Sequence, residues 1–480
     1  MSDTGITVKK SEDFSEWYTQ VVLKSGLADY APVKGCMVFR EHSYAIWEKT
    51  QEVFNARIKA TGHRNVYFPM FIPESFLKKE AEHFQGFIPE VAWVTIGGDS
   101  PLEERLAIRP TSETIMYAMY AKWVRSWRDL PIKLNQWCSV VRWETKATKL
   151  FLRTREFLWQ EGHTAHATQE EADKEVMEIL DIYRDIMEKC MAVPVLVGKK
   201  TEKEKFAGAL YTTALEAMMP DGRALQMGTS HNLGQHFSKV FDIKFIGEDE
   251  KEHYVWQTSW GISTRLIGAL VMVHADDKGL ILPPEIAPVQ VVIIPIHFKG
   301  KEKEQTQEKA METCQRLQRQ GLSVVLDDRD EYTPGWKFNE WEMKGVPVRV
   351  EIGPRDVKQN QVTIARRDTF ERSIIKEEEI EETITKLLKD IQKSLYDRAK
   401  KLLQEDITTV EDYEKFKTTL KEKGGFIRAS WCSNSSCEEK IKEETGATIR
   451  IVPFEKEKVV SKCIYCGEEA KEVVYFARAY

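Results

Sequence analysis

Apolar residues recur along this chain at two spacings. In EHSYAIWEKTQEVFNARIKATG (41–62), Ile46, Val53, Phe54 and Ile58 fall at roughly helical intervals and Gly62 follows the last turn. That pattern predicts a helix with a glycine stop. EEADKEVMEILDIYRDIMEKC (170–190) predicts another, of about five turns. Strand-like runs are interspersed with these: NVYFPMFIP (65–73), with Pro69 near an edge or bend, KLNQWCSVVRWE (133–144), and REFLWQEGHTAH (155–166). The basic stretch TKATKLFLRT reads as the loop joining the last two. In RPTSETIMYAMY (109–120), hydroxyls and a glutamate run into an apolar helical pattern. Thr111 or Ser112 is the expected cap, with Glu113 near the positive end of the helix dipole.

PPEIAP (283–288) punctuates a boundary. Beyond it strands and helices alternate: VQVVIIPI, the helix EKEQTQEKAMETCQRLQRQG, LSVVLDD, a Trp/Lys-rich helical segment, VPVRVEIG and QVTIARR. Such alternation predicts a compact α/β domain. From Ile374 to about Lys423 a charged helical stretch carries an apolar stripe at Ile380, Ile384, Leu387, Leu388, Ile391 and Leu395, so it is expected to dock rather than float. The domains expected are 1–285, 286–400 and 401–480.

The bulk numbers narrow the class. With 480 residues, 42% hydrophobic and 30% charged, the chain suits a soluble protein of two to four domains. Its apolar runs are strand-length, too short to span a bilayer. MSDTGITVKK lacks the apolar core of a secretory signal, so a cytoplasmic location and no membrane contact are expected. A net charge of −6 excludes a chain-wide basic nucleic-acid binder but permits a local basic stripe.

Four of the eight cysteines cluster near the end, in WCSNSSCEEK and CIYCG. Cys432 and Cys437 form one pair, Cys463 and Cys466 another, with Gly467 suited to a tight turn. Two separated pairs fit a tetrahedral thiolate site, and four protein ligands would leave it structural rather than catalytic. Disulfides and unbound thiols are the competing readings. The histidines of HTAH (163–166) face opposite sides of a strand and are not expected to share a metal.

Three arginines stand in apolar surroundings: Arg142 in VVRWE, with Glu144 two residues on; Arg153 in RTREF, with Phe157 four on; and Arg265 early in the apolar helix of STRLIGALVMVHAD. Each alone could be a structural ion-pair partner. Together they suggest a phosphate or carboxylate clamp, because the guanidinium fork matches both anions.

These segments resemble the three signature motifs of class II aminoacyl-tRNA synthetases. The 41–73 region is similar to the first, a dimer-interface element; VVRWE…LRTREF to the second; GISTRLIGAL to the third. RPTSE, EHFQGFIPEVAWVT (82–95), WQEGHTAH and SWGISTR, in this order, look like the prolyl-tRNA synthetase family in its archaeal and eukaryotic-like form. The resemblance implies an α+β catalytic domain, an antiparallel sheet flanked by helices. It further implies an α/β anticodon-binding domain and a small C-terminal zinc-binding α/β domain. The implied substrates are ATP with Mg²⁺, L-proline and tRNA(Pro), in a homodimer. Thr111, Glu113, Arg142, Trp159, His163, His231 and Ser263 would form the proline pocket. Arg142, Glu144, Arg153, Phe157, Gln226, Thr229 and Arg265 would hold ATP, and Phe87 would help close the site. Glu340, Arg349 and Glu351 are anticodon candidates, against a solvated charged face. Cys432, Cys437, Cys463 and Cys466 would hold structural zinc. Only about a hundred residues separate the second and third motifs, so no editing insertion is expected and alanine or cysteine could be mis-activated. A synthetase-like regulator without catalysis, a zinc-type nucleic-acid binder, and the threonyl, seryl and histidyl relatives are the alternatives. The terminal FARAY leaves Tyr480 docked or frayed.

Overall fold

The computed structural model describes residues 5–81, 91–296, 301–459 and 461–480. Phe87 lies outside them. No described helix is long and apolar enough to cross a membrane.

The expected helix of 41–62 is α1 (Glu41–Ala60), and Gly62 follows it at φ 90. α2 (Glu113–Trp123) begins in RPTSET. The strand Ile132–Val141 is β1 and Glu156–His166 is β2. α3 (Gln169–Asp185) runs into one wider turn ending at Cys190. Next come β3 (Leu196–Lys199), β4 (Tyr211–Met218), β5 (Ala224–Gly234) and β6 (Trp256–Ser263), then the apolar helix α4 (Arg265–His274). β1, β2, β6, β5, β4 and β3 lie side by side in that order, all antiparallel. α1, α3 and α4 share with the back of this sheet one apolar core, which includes Phe54, Tyr183, Trp260 and Leu266.

Residues 291–376 form a separate five-stranded sheet. Its strands Val324–Leu326, Val291–Pro295 and Val348–Ile352 are parallel; Gln361–Arg366 and Arg372–Lys376 add antiparallel. α5 (Ile380–Glu405) buries Ile380, Ile384, Leu388, Ile391 and Leu395 against it, as the stripe predicted.

Several expectations need correcting. NVYFPMFIP is not one strand. Arg64–Asn65 pairs with β1, Phe71–Pro73 joins a different sheet, and the stretch with Pro69 between them is irregular. The charged stretch 374–423 is not continuous. It opens in strand Arg372–Lys376; α5 ends at Glu405, strand Ile407–Thr409 intervenes, and a second helix spans Tyr413–Glu422. A helical charge pattern there masked Ile407 and the two threonines, which pair with 426–428. Arg142 does not sit inside a strand, because β1 stops at Val141.

The cysteine-bearing region is α6 (Ser435–Thr445), β7 (Thr448–Pro453) and strand Glu472–Ala477. β7 pairs with β3 (Val452 with Lys199, Pro453 with Gly198), so the C-terminal strands extend the large antiparallel sheet to eleven described strands. Gly198 permits that joint: a Cβ there would lie 2.4 Å from the Val452 carbonyl oxygen and 2.7 Å from Ile451. The chain end is docked. Tyr480 donates its backbone N–H to Ala224 and its hydroxyl to Asp221, at 3.2 and 2.6 Å. Gly198→Ala is therefore expected to lower the urea midpoint, with a cost of about 1–3 kcal/mol from overpacking. An unchanged midpoint would remove the joint as a constraint.

Candidate active site

Strand periodicity builds the site. Side chains two apart on a strand share a face, so Phe157, Trp159, Glu161 and His163 of β2 point one way. Register extends the row across the sheet: His163 lies opposite Leu134 and Ser259, Ser259 opposite His231, and His231 opposite Thr212. The resulting cleft, of about 540 Å³, is lined by all seven residues expected for the proline pocket. Of those expected at ATP, Arg142, Glu144, Phe157, Gln226, Thr229 and Arg265 line it as well. Arg153 does not. It lies 3.8 Å from the Glu144 carboxylate and lines an adjoining cavity of about 650 Å³ beside Lys146, Lys149, Arg223 and Tyr480.

One end of the cleft is built around buried carboxylates. Glu113, the first residue of α2, is 4% exposed and lines the cleft, accepting a hydrogen bond from the Thr111 hydroxyl. The expected side-chain cap does not form. Ser112 occupies the cap position, but its hydroxyl and its N–H both go to Glu161. Glu161 also receives Gln136 Nε2 at 3.1 Å and His163 Nε2 at 3.0 Å. Burial pushes the Glu161 carboxyl up, but its bond and attraction to His163, with the Ser112 and Gln136 donors, leave it below the usual range. Burial pulls His163 down, yet Glu161 and Glu113 hold it net above the ordinary histidine value. Glu113, Glu161 and His163 stand close enough to share a cation. Glu161 is already satisfied by four donors, so none is required.

The other end is cationic. Arg142 donates Nε to the Pro110 carbonyl at 3.1 Å, and its guanidinium lies 5.5 and 5.4 Å from the Phe157 and Trp159 ring centres. Arg265 donates to the Leu152 carbonyl at 3.3 Å. Burial first, then the like charge of Arg142, pulls Arg265 down to about 10. These cations are under-neutralised, which favours an incoming anion.

Sequence reasoning missed Glu161 and Phe206. Phe206 lies 4.9 Å from the His231 ring, and both border the cleft. Glu161 was findable, since it holds the alternate position between Trp159 and His163. The anticodon candidates are each engaged internally: Glu340 with Arg329 and Lys344, Arg349 with Glu342 and Glu351. In the cysteine cluster, Cys432 Sγ lies 3.7 Å from Cys437 Sγ and 3.8 Å from Cys466 Sγ, and all four thiols lie within 4.8 Å of one another. Zn–S bonds of about 2.3 Å in a tetrahedron give an edge of about 3.8 Å, so the thiols fit such an ion.

Known proteins resemble this chain throughout. Residues 93–274 match the tRNA synthetase class II core domain (G, H, P, S and T), and 290–387 match the anticodon binding domain, which defines a class II aminoacyl-tRNA synthetase. Residues 413–480 match the C-terminal domain of prolyl-tRNA synthetase. Proline–tRNA ligase of Natranaerobius thermophilus is 57% identical over 98% of this chain and 97% of its own length. Proline–tRNA ligase 2 of Clostridioides difficile is 54% identical over 98% and 97%. A crystal structure of prolyl-tRNA synthetase from Cryptosporidium parvum, complexed with halofuginone and AMPPNP, superposes with TM-score 0.95 at 46% identity over the whole of both chains. The chain belongs to the prolyl-tRNA synthetase family, the proline–tRNA ligases.

Buried His166, His231 and His274 are held at about 4, 3 and 3, first by burial. The unfolded chain takes up these protons below about pH 6.5. Their stabilisation is therefore complete above that pH and is lost as pH falls toward the folded values. His163, raised, acts in the opposite sense. The unfolding free energy from urea titrations is expected to be lower at pH 5 than at pH 7.5, by about 2 kcal/mol or more; a flat or rising profile on acidification would contradict this.

Proposed function

We propose that this chain activates L-proline with ATP to prolyl-adenylate and transfers the prolyl group to the 3′ end of tRNA(Pro). The observation that carries the reading is the polarity of one cleft, with buried carboxylates at one end and under-neutralised arginines at the other. Proline's secondary ammonium has two N–H donors. Glu113 and the Thr111 oxygen receive them, while the ring packs against Trp159 and toward His163, His231 and Ser263. Arg142, the cationic-end arginine on which Glu113 and Glu161 act, bridges the proline carboxylate and the α-phosphate. Glu144 takes the adenine amino group, Phe157 stacks on the base, and Gln226 and Thr229 contact the nucleotide. Arg265 and Arg153 hold the γ-phosphate end. AMPPNP in the Cryptosporidium parvum structure supports a nucleotide here.

The carboxylate oxygen attacks the α-phosphorus and pyrophosphate leaves. The attacking group is ionised at neutral pH, so this step needs no general base. Alignment and charge stabilisation are the protein's share of the catalysis. Mg²⁺, when bound with ATP, neutralises phosphate charge. Transfer follows when a terminal ribose hydroxyl attacks the prolyl carbonyl and AMP leaves.

The domains divide as 1–285 (catalytic), 286–400 (anticodon-binding) and 401–480, where Cys432, Cys437, Cys463 and Cys466 hold structural zinc. Glu340, Arg349 and Glu351 are anticodon contacts that must exchange their internal partners for bases. The enzyme works as a homodimer in the cytoplasm. Residues 157–261 are taken up by β2 to β6, α3 and their connections, which supports a chain with no editing insertion.

ATP–pyrophosphate exchange across a panel of amino acids tests the reading. Proline should support exchange, with alanine and cysteine far weaker; no proline-dependent exchange would overturn it. Arg142→Ala should lower the proline-dependent rate about 10²–10³-fold, as loss of a transition-state contact does; a near-normal rate would remove Arg142 from the site. Purified protein should carry about one zinc per chain, and a Cys432→Ser/Cys463→Ser variant none; full occupancy in that variant would exclude the thiolate site.

A further inference from the structure

Residues 200–206 leave β3 and wall the amino-acid end of the cleft. Glu204, Lys205 and Phe206 line it, and Phe206 packs on His231. From Thr201 onward the segment has no helix or strand. It is held in part by its own sheet, where Phe206 N–H donates to the Thr212 hydroxyl and Lys200 N–H to the Thr212 carbonyl, both at 2.9 Å, and in part from the far end of the sequence. Three residues of α6 reach it: Glu438 accepts from the Thr201 hydroxyl at 2.8 Å, Glu439 lies 2.6 Å from Lys203 Nζ, and Lys442 lies 3.1 Å from Glu204. Beneath them is a buried charge set. Lys200 Nζ donates to Glu216 at 2.6 Å and to the Arg450 carbonyl at 2.9 Å. Arg450 donates two N–H groups to the same Glu216 carboxylate, at 2.7 and 3.2 Å.

These contacts are not equal. Lys203–Glu439 and Lys442–Glu204 are partly exposed, and such pairs add little to stability. Thr201 and Glu438 are 6% and 3% exposed, and Glu216 is fully buried. The Lys200–Glu216–Arg450 charges are matched to one another, and such groups are costly to leave unmatched, so they favour one placement of β7 against the loop's origin; Glu438, whose second oxygen is buried without a partner, adds the single Thr201 bond. The β3–β7 pairing, allowed by Gly198, brings the loop's origin to the same seam. Cys437, the residue before Glu438, ties the first turn of α6 into the thiol cluster.

We propose that Glu438 and Arg450 are positioning residues for the proline end of the cleft. They set residues 201–206, and with them Phe206 against His231, without touching substrate. Proline affinity is thus determined partly by the C-terminal domain. The inference rests on proline occupying that end.

Thr201→Val and Glu438→Ala, each in the full chain, test it. Proline KM in ATP–pyrophosphate exchange should rise about five- to tenfold, with ATP KM and kcat within about twofold, the scale expected of a coupled contact. Amide hydrogen exchange should quicken in 201–209 and stay unchanged in β2. Glu438→Gln, which can still accept from Thr201, should behave as wild type. Thr201→Val is isosteric and serves where Glu438→Ala fails to fold. Unchanged proline KM and unchanged exchange in 201–209 for Thr201→Val would overturn the proposal. So would equal losses in ATP KM, or quickened exchange throughout the sheet, which mark a general folding defect. If wild-type protein shows no proline-dependent exchange, the proposed substrate fails and the amide measurement still decides the clamp.

Discussion

A buried carboxylate organises the anionic end of the cleft. Glu161 is 1% exposed, and a carboxylate there is tolerable only when its oxygens are fully matched. Its partners come from three places: the Ser112 N–H and hydroxyl, Gln136 on β1, and His163 two residues along β2. Gln136 in turn receives the Phe68 N–H at 2.5 Å, and Arg109 donates to the Phe68 and Ser139 carbonyls at 2.7 and 2.8 Å. One anion thereby fixes the turn before α2, the segment carrying Pro69, and two strands. The Ser112 oxygen that would cap the helix by accepting a backbone N–H instead accepts from Gln136 Nε2 at 3.1 Å, and the helix start has no side-chain cap. Glu113 is left at the first helical position with its carboxylate lining the cleft.

That arrangement explains what could be read in advance. Phe157, Trp159 and His163 share a face through the period of two, and any strand reading of REFLWQEGHTAH aligns them. The cysteine pairs were equally legible, since a tetrahedral site needs only local spacing. Strand alternation places Glu161 on the same face, between Trp159 and His163, but its role as the anchor of Ser112, 49 residues away, has no local pattern. The same holds for the split of 65–73 and the break in 374–423. Each run has a plausible local period, but the partner strand decides. Nothing local to Gly198 signals the Val452 backbone that lies against it.

The cleft's two ends divide the chemistry between them. At the anionic end, Glu161 is matched by fixed donors and Glu113 by the Thr111 hydroxyl, so little must rearrange when a cationic group enters. At the cationic end, Arg142 and Arg265 lean on carbonyls and aromatic faces rather than on full carboxylate partners. That leaves their charge for an anion. Charge placement of this kind calls for no nucleophile triad, and the carboxylate–imidazole pair in the lining, Glu161 with His163, is tied into the donors that fix the turn before α2.

The C-terminal region is part of this architecture. Its strands continue the catalytic sheet through β7 and β3, and its last residues grip the turn between β4 and β5. Ala224 donates to the Arg478 carbonyl at 2.8 Å and accepts from Tyr480, whose hydroxyl reaches Asp221. The turn is thus held from beyond the catalytic domain. β4 and β5, which it joins, carry Thr212, Thr229 and His231 into the row that lines the cleft. The chain end also borders the cavity lined by Lys146, Lys149, Arg153 and Arg223, a basic concentration on a protein whose net charge is −6. An acidic total and a cationic site coexist because long-range pairing, not composition, decides where charges gather.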